Sequence, residues 1–368
     1  MNRIITRRIW IFTILIMICG LIALYSASFN NVRVTNDVFY DQFFCTGLGL
    51  SVMYLLSRMD YRKFFDVAYI FYGINIILLL GVLFAGRHAL GAKRWIELAG
   101  ISFQPSEMTK LAVILMLGRY FSVRRPSLSF NFRSSAYTTF RDLLFPFFLI
   151  ILPILLIFKQ PDLGTALLIL GIFIVMLFVS GLEYKPLLIF LSLCMFVVPF
   201  GWHFLKQYQR DRLLVFLNPN IDPLGAGYTI IQSKIAVGSG GLLGKGWLSG
   251  TQNQLNFLPE RHTDFIFSVI GEEWGLVGTI FLVFCFYVLI HCGLNIAEQI
   301  KDKFGKFVTI GIVTIVSLQV IINIGMVLGL CPVVGITLPF ISYGRTSFMT
   351  FAVMVGFLLS LSKKRTVF

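Results

Sequence analysis

Long apolar runs separated by short polar turns set the pattern of this chain. A helix needs about 20 apolar residues to cross a hydrocarbon core, and about ten runs meet or approach that length. They fall at 9–28, 43–56, 67–85, 107–121, 143–158, 163–181, 186–204, 264–290, 308–330 and 346–361, with those at 43–56 and 107–121 short. Their periods are helical or featureless rather than alternating, which argues against a β-barrel. The pattern predicts an all-α polytopic membrane protein, a single domain over 1–368, with a long outer loop at about 205–263 between the seventh and eighth runs.

Composition agrees. Hydrophobic residues make up 57% of 368, charged residues 13%, and mean hydropathy is +0.84, far from soluble usage. The net charge of +14 raises the question of nucleic acid. Placement answers it, because the basic clusters alternate with the runs: Arg3, Arg7 and Arg8, then Arg58, Arg62 and Lys63, then Arg119 to Arg141, then Lys301, Lys303 and Lys306, then Lys363 to Arg365. That is the positive-inside bias, which puts both termini in the cytoplasm. No basic aromatic platform accompanies the charge, so no nucleic-acid partner is expected. The six cysteines lie in or beside runs without paired spacing, so neither a disulfide framework nor a zinc site follows. Ser26-Ala27-Ser28 imitates a signal-peptidase site, but the apolar run before it is long and reads as an uncleaved anchor.

The polar turns carry the chemistry. LPERHTDFIFSVIGEEWG at 258–275 runs from polar residues straight into the eighth apolar run. Asp264 sits at that boundary, where a carboxylate is partly shielded and suited to proton transfer, or else caps the helix. Glu272 and Glu273 follow about 12–14 Å deeper at helical rise, as a proton path or as caps for internal polar contacts. At 104–110, Pro105 opens a helix, Glu107 lies in its positive first turn, and Lys110 shares a face with Glu107. That pair either braces the bundle or marks a functional cavity. Pro161 and Asp162 again start a helix, with capping the default reading. In the long loop, 228–237 has helical spacing. The glycines at 238–246 read as a linker or as backbone amides that cradle an anion.

Six segments together resemble one family: GAKRWI at 91–96, QPSEMTKL at 104–111, QPDLGTA at 160–166, IIQSKIAVGSGGLLGKG at 230–246, LPERHTDFIF at 258–267 and LPFISYG at 338–344. They look like the SEDS proteins of bacterial cell-wall synthesis, closer to the RodA elongation branch than to the FtsW division branch. The family usually continues SYG with glycine and two small hydroxyl residues; here Arg345-Thr346-Ser347 follows.

The resemblance implies a peptidoglycan glycosyltransferase of the bacterial cytoplasmic (inner) membrane, acting on its outer face. Its substrates would be lipid II and a glycan on an undecaprenyl pyrophosphate carrier. Its partners would be a class B penicillin-binding protein and other membrane proteins of the elongation complex. An α donor and a β-1,4 product require inversion by a single displacement, with one general base and positive charge for the departing pyrophosphate. Asp264 matches the family's catalytic aspartate. Arg94, Lys110, Lys234 and Arg261 are the candidate phosphate contacts, with Glu107 holding Lys110. Trp95 lies under a sugar or in the headgroup belt. Gln160, Asp162, Glu260, His262, Thr263, Ser342 and Tyr343 complete the expected substrate-binding set. A Mg²⁺ or Mn²⁺ ion bridging Asp264 and the pyrophosphate suits hard oxygen ligands, and no organic cofactor is expected. The main alternative is a lipid II flippase. A transporter places its site near the midplane, often between inverted repeats, whereas these polar groups gather at the outer face and no repeat is visible.

Overall fold

The computed structural model describes residues 2–29, 38–89, 92–98, 101–124, 140–181, 192, 203, 207–223 and 225–363. A helix covers every predicted run except that at 186–204, which lies almost wholly outside the described residues. In chain order these are α1 (Asn2–Ser28), α2 (Tyr40–Arg58), α3 (Lys63–Ala85), α4 (Pro105–Arg124), α5 (Phe140–Lys159) and α6 (Leu163–Val179). The long loop contributes α7 (Gln207–Leu217), α8 (Ala226–Ser239) and the single turn α9 (Thr251–Gln254). Then come α10 (Ile266–Gln299), α11 (Lys303–Val327) and α12 (Arg345–Lys363).

α1, α3, α10, α11 and α12 are each long and apolar enough to cross a membrane. α2 and α4, expected to be short, reach 19 and 20 residues. At helical rise that is about 30 Å, the thickness of the hydrocarbon core. The protein is a multi-pass membrane protein.

The chain forms two compact units. The first takes Met1–Ser57, Lys206–Cys292 and Val316–Lys363. In it α12 is buried along nearly its whole length and packs against α1. Gly356 admits α2: a Cβ there would lie 2.9 Å from Leu56 Cβ. The eighth run does not form one straight helix. Gly275 has φ 65° and ψ −161°, a left-handed φ that breaks α10. The two amides just past the break, Leu276 and Val277, donate to Gly241 O (2.9 Å) and Leu242 O (3.1 Å). In return Lys245 N and Gly246 N donate to the carbonyls of Glu272 and Glu273, each at 3.0 Å. The glycine-rich segment of the long loop therefore repairs the break in α10.

The second unit takes Arg58–Leu205, Gly293–Ile315 and Lys364–Phe368. α3 pairs with α4, and α6 with both α4 and α5. Pro105 occupies the first helical position of α4, where its missing N–H has no consequence. Between α3 and α4 the chain makes an antiparallel meander in the order β1-β2-β3: β1 (Arg87–Ala89), β2 (Ala92–Leu98) and β3 (Ile101–Phe103). Trp95 pairs with Arg87 and Ile96 with Phe103. These strands add to the predicted helices; at three to seven residues they are too short for a clear period-two signal.

Candidate active site

Asp264 lies in a turn rather than in the helix, two residues ahead of Ile266. The turn closes on Glu260, whose carbonyl accepts from Thr263 N at 3.1 Å and Phe265 N at 3.4 Å. Glu260 has φ 49°, the left-handed conformation that sends the chain back on itself. Three successive carbonyls then leave the turn, and each is held. Tyr343 N donates to His262 O at 2.9 Å. Ser342 Oγ donates to Thr263 O at 2.6 Å. Asn323 Nδ2 donates to Asp264 O at 2.9 Å.

These clamps come from LPFISYG and from the middle of α11. Asn323 is fully buried and also holds Ile336 O at 2.7 Å. Ser342 accepts from Leu338 N at 2.8 Å, which shapes its own loop. The Asp264 carboxylate faces Gly335, where an added Cβ would stand 3.5 Å from Oδ2. Gly335 has φ 73°, so the backbone bends past the carboxylate where a side chain would be strained. Main-chain bonds thus fix the turn, while the Asp264 side chain remains half-buried.

Asn323→Leu is expected to destabilise the protein by about 2 kcal/mol, because both carbonyls lose their donor inside the protein. Thermal unfolding of the variant checks this; an unchanged midpoint would remove the clamp.

The neighbouring residues divide by role. Arg261 Nε donates to Ala27 O at 2.6 Å, and Nη1 to Asn253 O at 2.8 Å and to Asn256 Oδ1. The guanidinium expected at phosphate braces the turn against α1. His262 packs its ring 6.2 Å from that of Tyr343. Burial pulls its pKa below the usual 6.5, helped by Arg261 and opposed by Glu260, so the imidazole is neutral at pH 7. Glu260 is exposed and its carboxylate accepts from Thr263 Oγ1 at 3.4 Å.

Lys234 stands differently. Ser233 docks α8 by bonds to Ser268 Oγ (3.0 Å) and Val327 O (2.7 Å). That places exposed Lys234 over Gly329, where a Cβ would collide with its Cε. Among the described residues Lys234 has no carboxylate partner.

Tyr343 and Arg345 meet at one carboxylate. Tyr343 Oη donates to Asp41 Oδ2 at 3.2 Å, and Arg345 Nη1 lies 3.6 Å from the same oxygen. Burial, then Asp41, pushes the Tyr343 phenol up to about 12, so it stays a donor. The cation where the family usually has glycine is held by α2. The Arg345 and Asp41 side chains are 33% and 40% exposed, and the pair contributes at most about 1 kcal/mol.

Deeper in α10, Glu272 accepts from Lys245 Nζ (2.8 Å), Thr251 Oγ1 (3.0 Å), Gln252 N (3.0 Å) and Asn253 N (3.3 Å). It anchors the start of α9. Glu273 accepts from Ser26 Oγ and from Asn253 Nδ2 at 3.4 Å. Of the two readings, internal capping describes them. The amides of Gly240, Gly244, Lys245 and Gly246 all donate to protein carbonyls, so this stretch is neither the linker nor the anion cradle of the two readings but a brace.

In the second unit, Arg94 Nε donates to Gln160 O at 3.1 Å and Nη2 to Pro161 O, tying β2 to the turn before α6. Gln160 Nε2 holds Leu79 O at 2.9 Å. Asp162 caps α6 through Thr165 N at 3.2 Å and accepts from Ser106 Oγ (3.2 Å) and Gln104 Nε2 (3.4 Å). Lys110 and Glu107 form an ion pair at 2.7 Å, with Lys110 wholly buried. Trp95 is half-exposed on β2.

Asn323 and Gly335 were missed by sequence reading. Asn323 had a signal: an amide inside an apolar run marks function or a specific bond. Gly335 had none beyond being a glycine.

The family model for the cell cycle proteins FtsW, RodA and SpoVE matches residues 6–367. The chain is similar to the peptidoglycan glycosyltransferase MrdB of Escherichia coli K12, 43% identical over 321 residues, covering 86% of this chain and 84% of that protein. It is also similar to the stage V sporulation protein E of Bacillus subtilis, 37% identical over 359 residues, covering 96% and 95%. Among solved structures, a chain from a peptidoglycan synthase complex that coordinates polymerization and crosslinking superposes with a TM-score of 0.80, at 34% identity over 96% of both chains. The rod shape determining protein RodA of Thermus thermophilus gives 0.71 at 29% identity, over 97% of this chain and 96% of that one.

Proposed function

The chain belongs to the FtsW/RodA/SpoVE family of cell cycle proteins and is a peptidoglycan glycosyltransferase; from that premise we propose that it polymerises lipid II for cell elongation, with Asp264 as general base. The observation that carries this reading is the turn at 260–265. Its backbone is pinned through three successive carbonyls, and the half-buried carboxylate of Asp264 stands two residues ahead of the apolar helix α10. A general base must be held in one place and still reach an incoming hydroxyl.

In the proposed step Asp264 takes the proton of the acceptor sugar hydroxyl as its oxygen attacks the donor anomeric carbon. The bond from that carbon to the pyrophosphate oxygen breaks, and its electron pair leaves with the pyrophosphate. The configuration inverts once, from α to β-1,4. Lys234 supplies positive charge for the leaving group: it is exposed, in the same unit as Asp264, and has no carboxylate partner among the described residues. Arg261, Ser342 and Tyr343 act on the turn rather than on the sugar.

Among the described residues no three of His, Cys, Asp and Glu gather as a metal set. Asp264 offers one carboxylate, enough for Mg²⁺ or Mn²⁺ only when substrate phosphates supply further oxygens. We propose that Asp264 would hold such an ion together with oxygens of the substrate pyrophosphate, whose charge the ion would neutralise. Chelation with EDTA is then expected to stop polymerisation and Mg²⁺ or Mn²⁺ to restore it; full activity after thorough chelation would remove the ion.

The site faces outward across the bacterial cytoplasmic membrane, by the positive-inside bias of the remaining turns. Pro259, exposed in the turn, provides the check. In a Cys331→Ser background, Pro259→Cys is expected to react with an impermeant maleimide in intact spheroplasts. Labelling only after lysis would reverse the orientation. The solved relative from a complex of polymerisation and crosslinking supports a transpeptidase partner, a class B penicillin-binding protein.

A further inference from the structure

At the end of the first unit opposite the Asp264 turn, the start of α1 and the end of α12 line an open groove of about 580 Å³. The two helices run antiparallel: Thr6 Oγ1 meets Ser362 Oγ at 2.8 Å, while at the other end Ala27 O takes Arg261. Three cations line the groove, Arg3, Arg7 and Lys363, and among the described residues no carboxylate does. Arg3 and Arg7 are exposed. Lys363 Nζ is fixed at the rim by Ser57 O (3.2 Å) and Ser57 Oγ (3.0 Å).

The rest of the wall is apolar, formed by Trp10, Ile11 and Ile14. From there an exposed stripe continues along α1. Ile11, Ile14, Ile18 and Ile22 are all exposed and recur every three or four residues, so they share one face, with Arg7 at its head. A free phosphate has no use for such a wall. A soluble acidic peptide has none for a stripe that runs into hydrocarbon.

We propose that this groove binds the headgroup of an anionic phospholipid from the leaflet at this end of the helices, with one fatty chain laid along the isoleucine stripe. Guanidinium groups pair with phosphate oxygens in bidentate geometry, and basic clusters at the ends of spans attract anionic headgroups. Trp10 sits at the depth where amphipathic rings mark the interface. The bound lipid would close the seam between α1 and α12 without touching the catalytic turn.

The test uses the full chain in detergent, given phosphatidylglycerol or phosphatidylcholine at equal concentration, with retained lipid counted by native mass spectrometry. The wild type is expected to retain phosphatidylglycerol about tenfold more than phosphatidylcholine. The triple variant Arg3→Gln, Arg7→Gln, Lys363→Gln is expected to lose that preference. The variant Lys301→Gln, Lys303→Gln, Lys306→Gln, which removes a basic cluster elsewhere, is expected to keep it. Equal retention of the two lipids by the wild type overturns the proposal without reference to any variant. So does an unchanged preference in the triple variant, or an equal loss in the Lys301 variant, which would mean diffuse charge rather than a site. Inorganic phosphate at millimolar concentration is expected not to displace the lipid; displacement would reduce the site to one for a bare anion and overturn the lipid reading.

Discussion

Asp264→Asn is expected to lower glycan polymerisation by about 10³-fold, within the range that a positioned general base contributes. The change keeps the size and shape of the side chain and removes its capacity to take a proton. It leaves the turn intact, because the clamps on 262–264 act on carbonyls of the main chain. Stability should therefore stay within about 0.5 kcal/mol of the wild type, since the isosteric change leaves those main-chain bonds in place. The loss should appear in kcat and not in the affinity for lipid II, since the proton is transferred only in the transition state. A raised KM with unchanged kcat would make Asp264 a substrate contact instead of the base.

Lys110→Met should act in the opposite way, on stability first. Lys110 is 0% exposed and its ammonium sits 2.7 Å from Glu107, itself 7% exposed. Removing the cation leaves a carboxylate inside the protein without its partner, which costs about 3–5 kcal/mol. Replacing both, as Glu107→Leu with Lys110→Met, should recover most of that, because the penalty comes from the stranded charge rather than from the missing bond. Thermal unfolding of the single and double variants separates the two. A single variant that loses less than about 1 kcal/mol would show that the pair contributes little.

The helices were legible because membrane spans impose length and hydropathy on the sequence. α1, α3, α10, α11 and α12 were readable for that reason, and Pro105 and Asp162 marked helix starts in α4 and α6. The break at Gly275 was not, since a glycine in an apolar run reads equally as close helix packing. Its repair by the segment 240–246 joins residues some thirty positions apart, and no local pattern shows such a bond. The same holds at the site. LPERHTDFIF announced a chemically dense boundary, and Asp264 was legible within it. What distinguishes Arg261, Ser342 and Tyr343 as holders of the turn is where their donors end: on Ala27 O, Thr263 O and His262 O. The sequence suggested phosphate for Arg261 and a place in the substrate-binding set for the other two. Arg345 shows the limit from the other side. Its departure from the family pattern was plain in the sequence, and its partner Asp41, three hundred residues earlier, was not.

The most direct measurement is lipid II polymerisation in detergent micelles by the protein co-purified with the proposed class B penicillin-binding partner, the strands being resolved by length on a gel. Micelles have no two sides, so a transporter makes no product in them. The wild type is predicted to give a ladder of glycan strands, and Asp264→Asn, with the same unfolding midpoint, none. Strands from Asp264→Asn at the wild-type yield would contradict the account.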